Sequence, residues 1–384
     1  MAWDLDPRNV GTGLPLEGVR VLDFSRVLAG PLCAQIAGDL GADVIKIEGP
    51  DGDPVRALAP PRFGEDATYY LAVNRHRRNV VADLRDAEDF ARVVALVREA
   101  DAVVDNFLAH QRAALGFERL REANADCVWV SVTPASSGGP LADQPSFDLL
   151  AQAGSGLMAV TGEAGRAPMK VGAPLADVVT GLYAAVGLLT GLYARLAGRP
   201  GRRFEAPLLE STMTALVNQA QGFLSTGVEP ARQGNDHPSI APYGPVTTAD
   251  GYLLLAVGTD AQYARLVQVL GEKSLADHSR WSSNAVRVAE LGALSQELNR
   301  IFARRTTAAW LDVLGPAGIP HGPINSVADA FAQPQIAAGD FVATMDAPGG
   351  RTRTMRSPLL IDGVRPPIRR GPRRLGEDRD EIFS

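Results

Sequence analysis

The sequence predicts an α/β protein with a mainly parallel sheet, and three observations support that class. Short apolar runs typical of buried strands recur through the first half of the chain. Helical stretches of about ten to fifteen residues separate these runs, and the first of them, 32–41, ends at a glycine. Because parallel strands need crossover connections, this alternation favours a sheet covered by helices on both faces.

The predicted elements follow one another in a regular order. Strands are predicted at 18–24, 42–49, 79–84, 102–106 and 127–133. Helices are predicted at 32–41, 86–100, 178–196 and 209–226, the last two divided by the loop AGRPGRRFEAP. The Pro-, Gly- and Asn-rich stretch GNDHPSIAPYG then indicates passage into a second, α+β unit. Its elements are a strand at 251–258 and helices at 261–270, 286–304 and 307–314, after which FVATMDAP returns to strand character.

The composition is ordinary for a globular protein and argues against several classes of function. The chain has 384 residues, 46% of them hydrophobic, and a net charge of −6, so no nucleic-acid partner is expected. Two cysteines in apolar stretches, Cys33 and Cys127, predict no disulfide framework. No metal site is expected, because metal-ligand spacing is missing from the histidines, which are His76, His110, His237, His278 and His321.

Two segments bear on localisation. The N-terminal MAWDLDPRNVGTG lacks an apolar core, which predicts a cytoplasmic protein without a secretory leader. The segment 178–198 is apolar over nearly the length that a bilayer requires. It nevertheless contains threonine and tyrosine, is rich in glycine and alanine, and has Asp177 and Arg195 at its ends. We therefore predict a central buried helix there and no membrane partner.

The loop SRVLAGP directly follows the first strand, where open parallel sheets bind ligands. Its Ala29 and Gly30 would let the backbone approach a ligand closely, and Pro31 suits the start of a helix. A plain strand-to-helix turn explains the same residues. The loop does not match the G-x-G-x-x-G fingerprint, which disfavours a nicotinamide enzyme.

A cluster of arginines, NRHRRN, precedes the third predicted strand and contains Arg75, Arg77 and Arg78. It has two interpretations, a solvated charged turn or a grip on phosphates, for which the planar guanidinium is well suited. A G-x-S-x-G elbow, which would supply a serine nucleophile, is missing from the sequence.

Asp177 is the main candidate for chemistry, in the segment KVGAPLADVVTGLYAA. Its position before an apolar helix also fits a helix N-cap. However, Gly172 and Gly181 on either side would leave room for a ligand, and an ionised carboxylate is a nucleophile that needs no base. The amides of the helix end could also stabilise charge that develops on a reacting oxygen. The two roles do not exclude one another.

The ordered blocks of the chain resemble one family from about residue 16 to residue 380, the class III CoA-transferases or CaiB–BaiF group. The blocks are LDFSRVLAGP, LGADVIKIEGPDGDPVR, YYLAVNRHRRNVVADLRD, ADAVVDNF, SFDLLAQAGSGLMAVTGE, the Asp177 segment, NDHPSIAPYGPVTTADGY, GIPHGPINSV and RRLGED. Their order and spacing, rather than any one block, carry the resemblance.

The resemblance implies a Rossmann-like large domain formed by both ends of the chain, a smaller inserted domain and an interlocked homodimer. On this chain the large domain corresponds to residues 1–225 with a C-terminal return at 331–384, and the small domain with its linkers to 226–330. The implied reaction moves coenzyme A between an acyl-CoA and a small carboxylic acid. Asp177 would form first a mixed anhydride and then an aspartyl-CoA thioester, so the cofactor is a substrate rather than a tightly bound group.

The family's CoA contacts carry over to particular positions of this chain. The loop after the first strand and the N-F pair after AVVD supply most of them, and several arginines would lie near the phosphates. The implied set is Val27, Leu28, Ala29, Arg56, Arg77, Arg85, Asn106, Phe107 and Arg112. Two departures from the family pattern concern the same end of the cofactor. AHQRAALGF replaces the usual P-G-x-L-x-x-x-G, and Gly49 stands where some members have an arginine.

Two alternatives to transfer remain open from the sequence. The first is a 2-methylacyl-CoA racemase of the same fold, in which a histidine of a G-H-D string pairs with the aspartate as acid and base. Here that string is Ser146-Phe147-Asp148, and phenylalanine cannot transfer a proton. The second is a non-catalytic CoA-binding protein in which Asp177 only caps its helix. Among transferases, YYLAVNR, IAPYG and GPIN are most similar to members that use succinyl-CoA, so we expect succinyl-CoA as a donor.

Overall fold

The computed structural model describes residues 13–276 and 280–384. The N-terminal residues behind the localisation prediction, and His278, lie outside this described part. Two compact units emerge: one contains the chain up to Leu157 with 170–228 and 334–384, and the other contains 158–169 and 229–333. The predicted boundaries were 225/226 and 330/331, and the sequence did not separate residues 158–169 from the large domain.

Strands and helices alternate through the first 228 residues. The strands are β1 (Arg20–Asp23), β2 (Asp43–Glu48), β3 (Arg62–Phe63), β4 (Asp66–Ala67), β5 (Arg77–Val81), β6 (Ala102–Asp105), β7 (Val128–Thr133) and β8 (Arg203–Pro207). The helices are α1 (Ala29–Asp39), α2 (Thr68–Val73), α3 (Ala87–Arg98), α4 (Ala109–Ala114), α5 (Phe117–Glu122), α6 (Asp148–Gly154), α7 (Leu157–Val160), α8 (Leu175–Leu196), α9 (Leu208–Thr214) and α10 (Asn218–Thr226).

Within the described residues, six strands form one parallel sheet in the order β5–β2–β1–β6–β7–β8. Counted along the chain, this order is 3-2-1-4-5-6, the arrangement of the dinucleotide-binding fold. The strand order reverses between β1 and β6. The carboxyl ends of those two strands therefore flank the crevice in which such sheets bind ligands.

Side chains alternate between the two faces of the sheet and build a core on each. Val21, Val44 and Val104 point to the face covered by α1 and α8. Leu22, Ile45 and Val103 point to the other face, where α3 and α5 cover them. The predicted α/β class, with a parallel sheet enclosed between helices, is confirmed.

The sixth strand, β8, lies in the loop that the sequence places between two helices, so that prediction is wrong. β8 pairs in parallel with β7, Arg203 opposite Trp129, at the edge of the sheet. A Cβ on Gly201 would lie 2.5 Å from the Asp126 backbone, so glycine is needed where these two backbone segments approach each other. The predicted helix 209–226 is also wrong, because Val217, with φ of +40°, separates α9 from α10.

Helix α8 is buried on one side only, contrary to the predicted central buried helix. Its Ala184, Leu188 and Leu192 lie in the core. On the opposite side, Val186 is 59% exposed and Tyr193 is 73% exposed. The helix is long and apolar enough to cross a bilayer on those two criteria, which core helices of soluble proteins also satisfy.

The second unit encloses its own core around an antiparallel sheet in the order β11–β10–β9. Its elements are β9 (Tyr243–Thr247), β10 (Tyr252–Ala256), α11 (Asp260–Leu270), α12 (Lys273–Ala276), α13 (Asn284–Ala289), α14 (Leu291–Phe302), α15 (Thr307–Leu314), β11 (His321–Pro323) and α16 (Val327–Ala332). Leu253 and Leu255 alternate into the core with Phe302 and Trp310. The single predicted helix at 286–304 is interrupted at Glu290.

The last fifty residues pack with the first unit. They form α17 (Pro334–Ala338), the hairpin β12 (Val342–Ala347) and β13 (Gly350–Met355), and α18 (Arg379–Ile382). Asn79 of β5 holds this segment in place: its Oδ1 accepts from Gly376 N at 2.6 Å, and its backbone N donates to Asp378 Oδ2 at 2.8 Å.

Candidate active site

The loop between β1 and α1 lies at the crevice and is held by buried side chains. Lys46 Nζ donates to Ser25 O at 2.8 Å and pairs with Asp53 at 2.9 Å. Asp53 Oδ1 in turn accepts from Val27 N at 3.2 Å. Val27 has φ of +69°, a left-handed conformation that is unusual for a β-branched residue. The surrounding contacts therefore fix a strained backbone at the mouth of the crevice.

Asn106, directly after β6, binds the same loop from the other side of the crevice. Its Oδ1 accepts from Arg26 N at 2.9 Å, and its Nδ2 donates to Arg26 O at 2.7 Å. The Arg26 guanidinium lies over the Phe107 ring, 4.6 Å from the ring centroid. The structure thus brings together Val27, Asn106 and Phe107, three of the residues implied for CoA binding.

Leu28 and Ala29 are only 5% and 4% exposed, so little of either residue is open to a ligand in this structure. Gly30 does not provide space for a ligand. A Cβ on Gly30 would lie 2.3 Å from Ser25 Cβ, so this glycine allows the loop to fold back on the first turn of α1. The interpretation of Gly30 as a point of ligand approach is wrong.

Asp177 lies in the first turn of α8, a helix that packs against the start of α1. One turn later, a Cβ on Gly181 would approach Ala29 O to 2.8 Å, so Gly181 allows α8 to pack closely against the start of α1. Gly181 therefore does not leave room for a ligand as predicted, whereas Gly172 faces open space. Asp177 therefore lies about one helical turn, ~6 Å along α8, from the point where this helix meets the start of α1, directly after the crevice loop.

The capping role predicted for Asp177 belongs to Asp148. Asp148 Oδ1 accepts from Ala176 N, in the first turn of α8, at 2.9 Å, and Asp148 Oδ2 accepts from Gln152 Nε2 at 2.7 Å. Gln152 also accepts from Val171 N at 2.8 Å, which fixes the segment that leads into α8. Among the residues that the structure describes, hydrogen-bond donors to the Asp177 carboxylate are lacking.

This environment disfavours the charged form of Asp177. Burial and, second, the charge of Asp148 raise the pKa of Asp177 to about 7. Burial, followed by the charges of Asp177 and Asp148, raises the pKa of Tyr69 to about 12, so this phenol lies near both carboxylates. At neutral pH Asp177 is ionised in only part of the molecules, unlike the fully ionised carboxylate expected from the sequence. A carboxylate that is poorly stabilised by its surroundings is correspondingly reactive.

The arginine cluster NRHRRN is part of the interior, so its interpretation as a solvated charged turn is wrong. Arg77 is 1% exposed; it donates to Asp23 Oδ2 at 2.9 Å, to Val73 O at 2.6 Å and to Pro31 O. Arg75 and Arg78 are likewise buried, against Asp39 and Asp43 respectively. The donors of Arg77 are thus engaged by groups of the interior, and its contact with a CoA phosphate stays a prediction.

The other implied arginines lie in three different settings. Arg56 pairs with Glu48 at 2.8 Å and lies over the Tyr70 ring, and its side chain is 13% exposed. Arg112 is equally covered and approaches Asp105 at 3.4 Å, below the crevice. Arg85 is 74% exposed and pairs with Asp83 at the surface, beyond the end of β5. Their contacts to CoA stay predictions.

Comparisons with known proteins agree with this arrangement. The model of "CoA-transferase family III" matches residues 16–379. The chain belongs to CoA-transferase family III. Its family relatives include the succinate–glutarate CoA-transferase of Agrobacterium fabrum, 37% identical, with 96% of this chain and 95% of the relative aligned. The human succinyl-CoA:glutarate CoA-transferase is 35% identical, over 87% of this chain and 77% of its own.

A solved structure supports the same family assignment. The CaiB/BaiF family protein of Brucella suis is 36% identical and superposes with a TM-score of 0.86, over 96% of this chain and 99% of its own. The resemblance inferred from the sequence is thus confirmed for the family, for its fold and for its class of enzyme.

Sequence reasoning missed three side chains near the site. Asp148 was noted only as part of the string Ser146-Phe147-Asp148, and Tyr69 only within a family block. Arg26 was quoted within the loop but not singled out. Phe147 is 63% exposed and directly precedes α6, where it supplies no acid or base.

Proposed function

We propose that this family III CoA-transferase exchanges coenzyme A between dicarboxylic acids, with succinyl-CoA as donor and Asp177 as covalent nucleophile. The observation that carries the proposal is the geometry of Asp177, a half-buried carboxylate without described hydrogen-bond donors, one helical turn from the crevice loop. The Agrobacterium fabrum relative, which aligns over 95% of its own length, is named for succinate and glutarate, which supports the substrate class.

The proposed exchange is a relay through the Asp177 carboxylate. Its oxygen attacks the donor thioester carbonyl, the C–S bond breaks, and CoA leaves as thiolate, so that a mixed anhydride of Asp177 and the donor acid remains. The thiolate then attacks the Asp177 carbonyl of that anhydride, releasing the donor acid and forming an aspartyl-CoA thioester. The acceptor carboxylate attacks this thioester, which frees the thiolate and forms a second mixed anhydride. The thiolate attacks the acceptor's acyl carbon in that anhydride, which gives the new acyl-CoA and releases the Asp177 carboxylate. One thioester is exchanged for another, so the balance requires neither ATP nor a redox step.

The surroundings of Asp177 support this role in two ways. Its raised pKa means that its surroundings destabilise the Asp177 anion, and conversion of this anion into an uncharged anhydride relieves that destabilisation. Asp148 and Gln152 fix the first turn of α8, so the nucleophile is positioned although its carboxylate accepts no hydrogen bond from residues 13–276 and 280–384. For the cofactor, we propose contacts with the backbone of the β1–α1 loop and with Phe107.

We also propose that the protein is a homodimer, located in the cytoplasm. The exposed apolar side of α8 supports an association, because a monomer would leave Leu182, Tyr183, Val186 and Tyr193 in water. Light scattering on the purified protein tests the dimer. A Val186→Glu, Tyr193→Glu double variant should dissociate it, and a wild-type monomer at micromolar concentration would contradict the proposal.

Chemical trapping tests the covalent step directly. The protein is incubated with succinyl-CoA and quenched with hydroxylamine, and peptides are analysed by mass spectrometry for a hydroxamate on Asp177. We expect the hydroxamate in wild-type protein and its loss in Asp177→Ala. If the label never reaches Asp177 although CoA transfer occurs, the relay is wrong. α-Proton exchange in deuterated water would instead indicate a racemase, and binding of CoA without any exchange would indicate a binding protein.

A further inference from the structure

Arg26 has a fixed backbone at the centre of the crevice. Both its N–H and its carbonyl are bound by the side-chain amide of Asn106. On either side, Ser25 O is bound by Lys46, and Val27 N is bound by Asp53. Lys46 lies in β2, Asp53 in the segment that follows β2, and Asn106 directly after β6, so contacts from two neighbouring parts of the fold fix the position of Arg26.

The Arg26 guanidinium has no counterion within the part of the chain that the structure describes, although it is half-buried. Arg56, Arg77 and Arg112, which are covered to a similar or greater extent, all contact carboxylates. Burial lowers the pKa of Arg26, and the charge of Asp53 opposes this effect; an arginine so placed still carries its charge. Buried charges in folded proteins are normally paired. Arg26 therefore lacks an anion that its position leads one to expect.

We propose that Arg26 binds an anionic oxygen of the acyl-CoA substrate. This inference rests on the proposed function and names a residue that the family resemblance did not. The anion is either the free carboxylate of a dicarboxylyl group or a phosphate of the cofactor, since both present the same chemistry to a guanidinium. The planar fork can bind either one with two parallel hydrogen bonds.

The stacking of Arg26 on Phe107 prepares the guanidinium for this role. With the Phe107 ring 4.6 Å below, one face of the guanidinium is covered and its N–H edges stay available. The rotamer is fixed in advance, so less side-chain entropy is lost when the anion binds. Asp53 does not compete, because its carboxylate is engaged by Lys46, Val27 N and Val55 N.

Two substitutions separate charge from packing. Arg26→Met keeps an apolar stem over Phe107 but removes the charge, whereas Arg26→Lys keeps the charge and loses the fork. Arg121→Gln, which removes an exposed arginine paired loosely with Glu118, is the control. For each full-length protein we would measure the Kd for CoA and for 3′-dephospho-CoA. We would also measure KM and kcat with succinyl-CoA and with acetyl-CoA, each with glutarate as acceptor.

If a carboxylate is the ligand, Arg26→Met raises KM for succinyl-CoA at least tenfold and leaves the Kd for CoA within twofold. If a phosphate is the ligand, Arg26→Met weakens CoA at least tenfold for every acyl group, and loss of the effect with 3′-dephospho-CoA identifies the 3′-phosphate. In both cases Arg26→Lys lies between wild type and Arg26→Met, and the difference shrinks at high salt. The proposal is overturned if Arg26→Met binds CoA and turns over succinyl-CoA within twofold of wild type, or if Arg26→Lys is the more damaged of the two.

These outcomes are separate from the proposed function. Wild-type protein that binds CoA but transfers it between no pair of dicarboxylates would refute the proposed function. The CoA affinities would still show whether Arg26 binds an anion.

Discussion

The β1–α1 loop and the first turn of α8, which is one helical turn from the contact between α8 and α1, are stabilised in opposite ways. In the loop, the backbone groups of Ser25, Arg26 and Val27 are bound by buried side chains. At α8, Asp177 is half-buried beside a second carboxylate and receives no hydrogen bond from the described residues. The loop is restrained by side chains from other segments, whereas the Asp177 carboxylate lies in surroundings that lower the stability of the folded protein. The difference indicates a rigid platform beside a reactive group.

The largest expected effect comes from removing the reactive group. Asp177→Ala should lower CoA transfer at least ~10³-fold, because the covalent relay has no other nucleophile. Affinity for CoA should stay within a few-fold, since the crevice loop is untouched. Steady-state transfer assays and CoA titration measure the two quantities. The relay is contradicted if Asp177→Ala retains near-normal turnover, and Arg121→Gln controls for handling.

The second prediction weakens the platform instead. Asp53→Ala should raise KM for acyl-CoA about tenfold with a smaller effect on kcat, because Val27 loses the acceptor that holds its left-handed backbone. Adding Val27→Gly should restore part of the loss, since glycine adopts that conformation without strain. Asp53→Asn is the matched control, because its Oδ1 can still accept from Val27 N.

Thermal unfolding must accompany these assays, since Asp53 pairs with the buried Lys46 and its removal costs about 3–5 kcal/mol. Comparison is made only at temperatures where every variant is folded. An unchanged KM in folded Asp53→Ala would show that the loop needs no such restraint.

Much of the platform could be predicted from the sequence, and the reason is local pattern. Strands such as β1 and β6 are apolar runs, and a parallel sheet places their carboxyl ends together, so the crevice follows. β8 could not be found this way, because an edge strand with the sequence RFEAP lacks the apolar run of a buried one.

The electrostatic pairings could not be predicted from local spacing. Arg77 meets Asp23 across 54 positions, and the cap of α8 comes from Asp148, 28 positions before Ala176. Spacing within one segment made Asp177 resemble a cap and Arg77 a surface charge. Only the fold shows which carboxylate is consumed by structure and which one stays available.

The third prediction uses the pH dependence of the available carboxylate. Because the pKa of Asp177 is raised to about 7, kcat/KM should rise with pH and level off above a midpoint near 7. In Asp148→Asn the midpoint should fall, because the neighbouring charge is gone. It should not reach the ordinary aspartate value, because burial, the larger cause, persists. A pH profile between 5 and 9 tests this, and an identical midpoint in both proteins would contradict the assignment.

The smallest expected effect is a gain in stability when Asp177 is replaced, whereas most substitutions lower the stability of a protein. The folded protein holds a proton on Asp177 up to about pH 7, whereas an unfolded aspartate releases it near pH 4. Stability conferred by the neutral carboxyl is therefore lost as pH rises from about 4 to 7. Asp177→Asn removes this loss, so it should be more stable than wild type by about 1–2 kcal/mol at pH 8, after allowance for solvent screening, and equal to it at pH 4. Urea unfolding at both pH values measures the difference. If Asp177→Asn is inactive and is stabilised only at pH 8, the protein retains a destabilising charge where its chemistry requires one. If Asp177→Asn is instead destabilised at pH 8, favourable contacts hold the Asp177 carboxylate, which contradicts this prediction.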